Sequence, residues 1–252
     1  MKDTITIDGE VYETCYSIPS DNTVIWRFMD LAKFISLLKD SALYMTRADK
    51  FEDSFEGAVC SEEDSERYDE ALNEYYSDLL EGKAVPEKLI EDEHKANRLL
   101  RMNSYLNCWY EGEHESMAMW RLYASGKEAK GVAIKTTAGQ LKKAIGRFVE
   151  IGRIDYIDYS KEWPNVNEAL WRKRVSFEYE HEVRIRITPK AGLSNNPEEF
   201  MMLSVDLNEL IEAVYVSPMA ESWFKTVVED ILEKYNVEKA VHHSRLDSKA
   251  LY

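Results

Sequence analysis

A chain of 252 residues, 44% hydrophobic and 31% charged and with 15 Tyr, 8 Phe and 6 Trp, has the composition of a globular protein with a sizeable core, which excludes a wholly disordered polymer. Its net charge of -15 opposes phosphate backbones and anionic membranes at long range, so duplex nucleic acid is disfavoured as a partner, although a local basic patch could still hold a nucleotide or another small molecule. No run approaches the roughly 20 apolar residues of a membrane span, and residues 1–10 contain no apolar signal core, so no membrane partner is expected and the expected compartment is the cytoplasm.

In chain order, residues 4–7 predict a short strand ending in a turn at Asp8-Gly9, and residues 24–29 predict a second strand. Asp30 is a good N-cap, and Leu31, Phe34, Ile35 and Leu38 recur behind it at helical spacing, so that helix should lay one face on the core. A strand at 43–46 leads into Phe51-Glu-Asp-Ser-Phe-Glu-Gly57, where Asp53 can cap a turn and Gly57 can supply unusual backbone angles. A turn role alone explains this segment, but loops placed by rigid strands carry function, which makes Asp53 and Glu56 candidate site residues.

Residues 62–93 hold 13 acidic side chains against Arg67, Lys83 and Lys88. The surrounding region 61–102 predicts an acidic helical insert, two helices parted near Gly82 and Pro86, with Tyr68, Leu72, Tyr75, Tyr76 and Leu79 as a rough packing stripe. A strand at 104–110, a helix at 115–124 stopped by Gly126, and a strand at 131–135 follow. Thr136 or Thr137 then caps a helix to about Ile145, and 148–159 returns as a strand. Strands at 177–187 and 214–216 and helices near 207–212 and 222–235 complete the chain. Without a linker or repeat, residues 1–252 read as a single domain. Irregular alternation of elements favours an α+β fold, with a mixed, mainly antiparallel sheet and flanking helices.

The segment 177–187 carries the most chemistry. Read as a strand, it places Phe177, Tyr179, His181, Val183, Ile185 and Ile187 on one face and Glu178, Glu180, Glu182, Arg184 and Arg186 on the other, with like-facing groups about 7 Å apart. Lining a cleft, the carboxylates would raise one another's pKa while the arginines hold at least one ionised, which suits acid or base work. Facing solvent, the same residues would be a ladder of cross-strand ion pairs. Arg172, Lys173 and Arg174 offer an adjacent anion site. Trp109, Tyr110, Trp120 and Tyr123 could form a stacking platform, but the three-residue spacing of Trp120 and Tyr123 on a helix favours core. The thiols Cys15, Cys60 and Cys108 and the pair His242-His243 have no zinc spacing, and no P-loop, GxGxxG or GxSxG is present.

Trp26-Arg27-Phe28, the 51–57 segment in the place of an "fnDPfE" signature, Cys108-Trp109, Met119-Trp120 with Tyr123, and Gly131-Val-Ala-Ile134 form a pattern with Phe177-x-x-Glu180-x-Glu182-x-Arg184, Tyr215-Val-Ser-Pro218 and Ser244-Arg-Leu-Asp247. Over nearly the whole chain this pattern resembles the bacterial domain-of-unknown-function family numbered 2971. Ser54 stands where that pattern usually has proline, and Phe177 where it usually has tryptophan. The resemblance implies no settled reaction, but it favours Asp53, Glu56, Glu180, Glu182 and Arg184 as site residues.

A Glu-x-Glu strand after an early strand arginine is also similar to the arrangement in the ADP-ribosyltransferase superfamily, without the Ser-Thr-Ser strand that many of its members carry. That similarity implies NAD as cofactor, with Arg27 on the phosphates and Lys173 as a further cation. Glu182 would stabilise an oxocarbenium-like ribose and Glu180 would orient or activate the acceptor, with an aromatic such as Tyr123 or Trp120 stacking on nicotinamide. Two alternatives stand beside it: a non-catalytic ligand- or protein-binding module in a stress, toxin or phage-defence response, and a phosphodiester hydrolase holding Mg²⁺ with Asp53, Glu56, Glu180 and Glu182. The arginines on the same face count against the metal.

Overall fold

The computed structural model describes residues 3–7, 9–123, 130–189, 192–246, 248 and 250–251. A hairpin of β1 (Thr4–Ile7) and β2 (Glu10–Glu13) precedes β3 (Val24–Asp30), α1 (Leu31–Asp40) and β4 (Ala42–Arg47). The helices α2 (Ser65–Leu79) and α3 (Glu87–Met102) lead to β5 (Tyr105–Glu111), α4 (Met117–Tyr123), β6 (Gly131–Thr137) and α5 (Ala138–Ile145). Then come β7 (Glu150–Arg153), β8 (Asp155–Ile157), β9 (Arg172–Arg174), β10 (Glu182–Ile187) and β11 (Phe200–Ser204), followed by α6 (Leu207–Leu210), β12 (Ala213–Val216), α7 (Ser222–Lys234) and β13 (Val241–His243).

Local chemistry explains the helix boundaries. Asp30 Oδ1 accepts the Lys33 N–H at 2.8 Å to start α1, and Thr137 with Gln140 forms a reciprocal capping box on α5. Both helices end in left-handed residues, Ser41 and Gly146. The buried residues Phe34 and Leu38 of α1 and Leu141 of α5 join Phe224 and Val228 of α7 in a core against Ile25, Val132, Ile134, Val183 and Ile185. The opposite face of β3 and β6 packs Trp26, Phe28 and Ala133 on Met119 and Trp120 of α4. The fold is thus α+β, and β12–β13 is the one parallel pair in a nine-stranded, otherwise antiparallel sheet among the described residues.

The order of that sheet is β11, β4, β5, β3, β6, β12, β13, with β10 on the second edge of β5 and β7 beyond it. β5 is a branch point. One edge pairs with β10 over all but its last residue, from Tyr105↔Ile187 to Tyr110↔Glu182. The other edge is shared: Leu106 and Tyr105 pair with β4, and Tyr110 and Glu111 pair with β3. β3 and β4, joined through α1, therefore diverge like the arms of a fork and leave 107–109 open between them.

Three expectations differ from this fold. A strand over 177–187 forms only in its second half, because residues Val175–Glu180 coil into a 3-10 turn closed by His181 at φ 39. The stretch 148–159 is broken at Ile154, whose N–H donates to the Glu182 carbonyl, so that β8 leaves the main sheet and pairs in parallel with β9. In the acidic insert both helices form, but only Tyr68 of the expected stripe is buried, while Tyr75 and Leu79 face solvent. Gly126, the expected helix stop, lies outside the described residues.

Gly152 of β7 lies under the stacked rings of Tyr16 and Trp171, and a Cβ there would stand 2.3 Å from Tyr16 Cδ2 and 2.9 Å from Trp171 Cζ3. Gly152→Ala is expected to lower the unfolding free energy by about 1–3 kcal/mol in urea denaturation, against a change within about 0.5 kcal/mol for the exposed Val11→Ala.

Candidate functional site

The fork opens into a cavity of about 570 Å³, lined from both faces of the sheet. Arg27 belongs to the face of Ile25 and Ile134, and its guanidinium reaches the open part of β5, where Nη1 donates to Asn107 Oδ1 at 2.8 Å and to the Cys108 carbonyl at 2.9 Å. Asn107 also accepts from Trp109 Nε1 and donates to the Tyr44 carbonyl on β4, so one buried amide ties both arms to the floor between them. The Arg27 guanidinium lies 5.8 Å from the Trp109 ring centroid. Among the described residues no carboxylate pairs with it, and Nε and Nη2 make no hydrogen bond; burial lowers its pKa from the ordinary guanidinium value. A half-buried cation served only by neutral acceptors is a ready anion partner.

On the other face, β9, β10 and the 51–57 turn assemble five buried charges. Lys173 Nζ donates to Glu180 Oε2 at 2.5 Å and to Glu182 Oε2 at 3.3 Å, and lies 3.9 Å from Glu56 Oε2. Arg184, with no exposed surface, donates from Nε to Glu182 Oε1 at 2.6 Å and from Nη1 to the Leu170 carbonyl at 2.6 Å. Its Nη1 is also 2.6 Å from Glu56 Oε1 but outside hydrogen-bond alignment, so neither Glu56 oxygen has a hydrogen-bond partner among the described residues. Tyr123 completes the group by donating to Glu180 Oε1 at 3.0 Å.

The environment drives these groups apart. Burial pushes the Glu182 carboxyl up, but Arg184 and Lys173 outweigh it and hold Glu182 at about 2, ionised across the working pH range. For Glu56 burial prevails over Arg184 and Lys173, with Glu182 adding repulsion, and its pKa is raised. Burial opposes the charge on Lys173, yet Glu182 and Glu56 raise its pKa, and both acids do the same for Arg184. Burial first, then the Glu182 charge, keeps the Cys108 thiol protonated.

The 51–57 turn is held from outside the sheet. Asp53 Oδ1 accepts the Phe55 N–H and the Arg174 Nη2–H, while its buried second oxygen has no partner among the described residues. Arg101 and Asn97 of α3 donate to the Ser54 and Gly57 carbonyls, so the acidic insert braces the loop that delivers Glu56. Gly57 has φ 70, and a Cβ there would lie 2.6 Å from Leu170 Cδ2, so glycine is required for both angle and space.

Of the residues nominated from sequence, Arg27, Asp53, Glu56, Tyr123, Lys173, Glu180 and Glu182 line the cavity. Arg184 stands behind Glu56 and Glu182. Trp120 is fully buried against Phe28 with its indole N–H on Glu115, in the core and away from the cavity wall. The ladder of five like-facing charges does not form, since Glu178 is exposed outside the strand and Arg186 pairs with Glu150. Asn107 was not nominated; the signal was a lone amide inside the apolar strand Tyr105–Glu111. No family model and no curated protein sequence matches this chain. No helix among the described residues is long and apolar enough to cross a membrane.

Removing Arg184 would leave Glu56 and Glu182 buried without their main counter-charge, so Arg184→Met is expected to cost about 3–5 kcal/mol in chemical denaturation. The Glu182 contribution to stability is present above its ordinary value of 4.5 and is lost as pH falls through about 2. Wild-type stability should decline over that window, and less steeply in Glu182→Gln, as read from thermal melts across pH.

Proposed function

We propose that this chain is an enzyme that binds NAD⁺ as a consumed substrate in the fork cavity and transfers its ADP-ribosyl group, in the manner of an ADP-ribosyltransferase. One observation carries the reading: the cavity presents an unpaired cation, Arg27, on one face of the sheet and an acid-rich cluster, three carboxylates against Lys173 and Arg184, on the other. NAD⁺ has the matching character, an anionic pyrophosphate and a cationic pyridinium ring. The volume of about 570 Å³ lies within the range of ordinary ligand pockets.

In this reading the free Nε and Nη2 of Arg27 hold the pyrophosphate. Glu182, held ionised, stabilises positive charge developing at the ribose, where a fixed carboxylate in a water-poor site acts without reorganisation. Glu180, fixed by Tyr123 and Lys173, orients the acceptor. The proposed kinship with family 2971 supplies no reaction and is neutral here. A metal-dependent hydrolase gains nothing from this geometry, because Lys173 and Arg184 already stand among the carboxylates a cation would need.

The test is titration calorimetry of the purified chain with NAD⁺, followed by assay of nicotinamide release. Wild-type protein is expected to bind and cleave NAD⁺; Arg27→Ala should weaken binding about tenfold to a hundredfold, and Glu182→Gln should bind but lose cleavage. Absence of NAD⁺ binding overturns the reading. A response to Mg²⁺ or Mn²⁺ alone would move the assignment to a hydrolase, and binding without cleavage to a regulatory module.

A further inference from the structure

Glu56, Glu180 and Glu182 offer three negative charges against the two positive charges of Lys173 and Arg184, and all five side chains are at most 9% exposed. Such a cluster carries one unbalanced charge if every carboxyl ionises, and a buried carboxyl avoids that cost by keeping its proton. Hydrogen bonding decides which one. Glu180 accepts from Tyr123 and Lys173, and Glu182 accepts from Arg184 and Lys173, so both are served as carboxylates. Glu56 has the Arg184 Nη1 at 2.6 Å but outside hydrogen-bond alignment, and accepts no hydrogen bond among the described residues, although it is buried and lines the cavity. The groups facing it are Arg184 and Glu182 of β10, Lys173 of β9, Cys108 of β5 and Tyr159 beyond β8, with Asp53 on its own turn. The thiol and the phenol both stay protonated by burial, so neither supplies counter-charge.

We propose that Glu56 is the proton-exchanging catalytic base of this cavity: it gives up its proton when a pyridinium ring binds and takes one back from the acceptor hydroxyl. This rests on the NAD⁺ reading above. In the free protein the cluster is neutral with Glu56 protonated. The entering cationic ring replaces that proton, which leaves to solvent. When the bond between ribose C1′ and the ring nitrogen breaks, its electron pair departs with neutral nicotinamide and the positive charge passes to the ribose. The oxygen of an alcohol or water then bonds to C1′, and its proton goes to Glu56. The charge of cluster plus ligand centre is the same in all four states, so no step leaves a bare charge in the protein interior.

Gln is isosteric with a protonated Glu and donates no proton, which makes Glu56→Gln the direct variant. Infrared difference spectra of the ligand-free protein near neutral pH are expected to show a protonated carboxyl band that is absent in Glu56→Gln and present in Glu178→Gln, which alters an exposed carboxylate outside the cluster. Calorimetry of NAD⁺ binding in buffers of different ionisation heat should then show close to one proton released per NAD⁺ and none with NADH, whose ring is neutral. Glu56→Gln should bind NAD⁺ without proton release and lose about a hundredfold or more in the transfer rate. Absence of the band in wild type, or equal release with NAD⁺ and NADH, overturns the proposal, and both measurements on wild type stand even if the variant folds poorly. If the band is present and NAD⁺ does not bind, the ligand half falls with the functional reading while the protonated Glu56 is upheld.

Discussion

A guanidinium with no exposed atom must find negative charge and carbonyl oxygen within the protein, and the arrangement of this cavity follows from how Arg184 meets that need. Glu182 comes from its own strand, the Leu170 carbonyl from the segment before β9, and Glu56 from the 51–57 turn. One side chain thereby fixes three stretches of chain that lie far apart in sequence. The brace continues outward, since α3 donates to the carbonyls of the turn and Leu100 packs with Ala48, Leu106 and Leu170. The acidic insert is thus more than solvated bulk: its second helix holds the loop that carries Glu56.

The other constraint is the open edge of β5. Three residues in the middle of a central strand with no ladder partner on one side leave backbone groups that must be satisfied some other way. Arg27 answers for the Cys108 carbonyl, and Asn107 ties β3 to β4 through its amide. A divergence of strands over a satisfied floor is a cavity by construction. It also explains how one pocket draws residues from both faces of a sheet, placing a cation from the helix-covered face opposite acids from the other.

Much of the fold was legible because its signals are local. The Asp30 cap, the Thr137 and Gln140 box and the apolar runs of β3, β5 and β6 each act within a few residues. The edge strands β11 and β13 were missed, since short strands at a sheet margin are defined by their partners more than by their own pattern. The charged residues of the site were legible as a group because so many carboxylates and cations in one segment need mutual compensation wherever they are placed. Trp120 meets the core reading that its helical spacing favoured, not the stacking role that the superfamily similarity implied, whereas Tyr123, given the same core reading, lines the cavity: an aromatic on a helix reads the same for a core and for a stacking surface. Asn107 was overlooked because its importance lies in joining strands distant in sequence.

The most instructive departure is the segment 175–187. Its alternation fits a strand so well that nothing local argues against it, and a regular strand would hold Glu180 and Glu182 about 7 Å apart with identical orientation. Lys173 Nζ instead lies 2.5 Å from one and 3.3 Å from the other. The 3-10 turn and the left-handed His181 lift Glu180 off the strand and let one ammonium serve both. That single conformational choice gives Glu180 and Glu182 hydrogen-bond donors, while Glu56 keeps its ion pair with Arg184 but accepts no hydrogen bond among the described residues. Hydrophobic replacements of buried ion clusters are often neutral or stabilising, so burial of five charges is poorly explained by stability alone. On the proposed reading it serves the chemistry of an acid left without a hydrogen-bond donor, among the described residues, on a cavity wall.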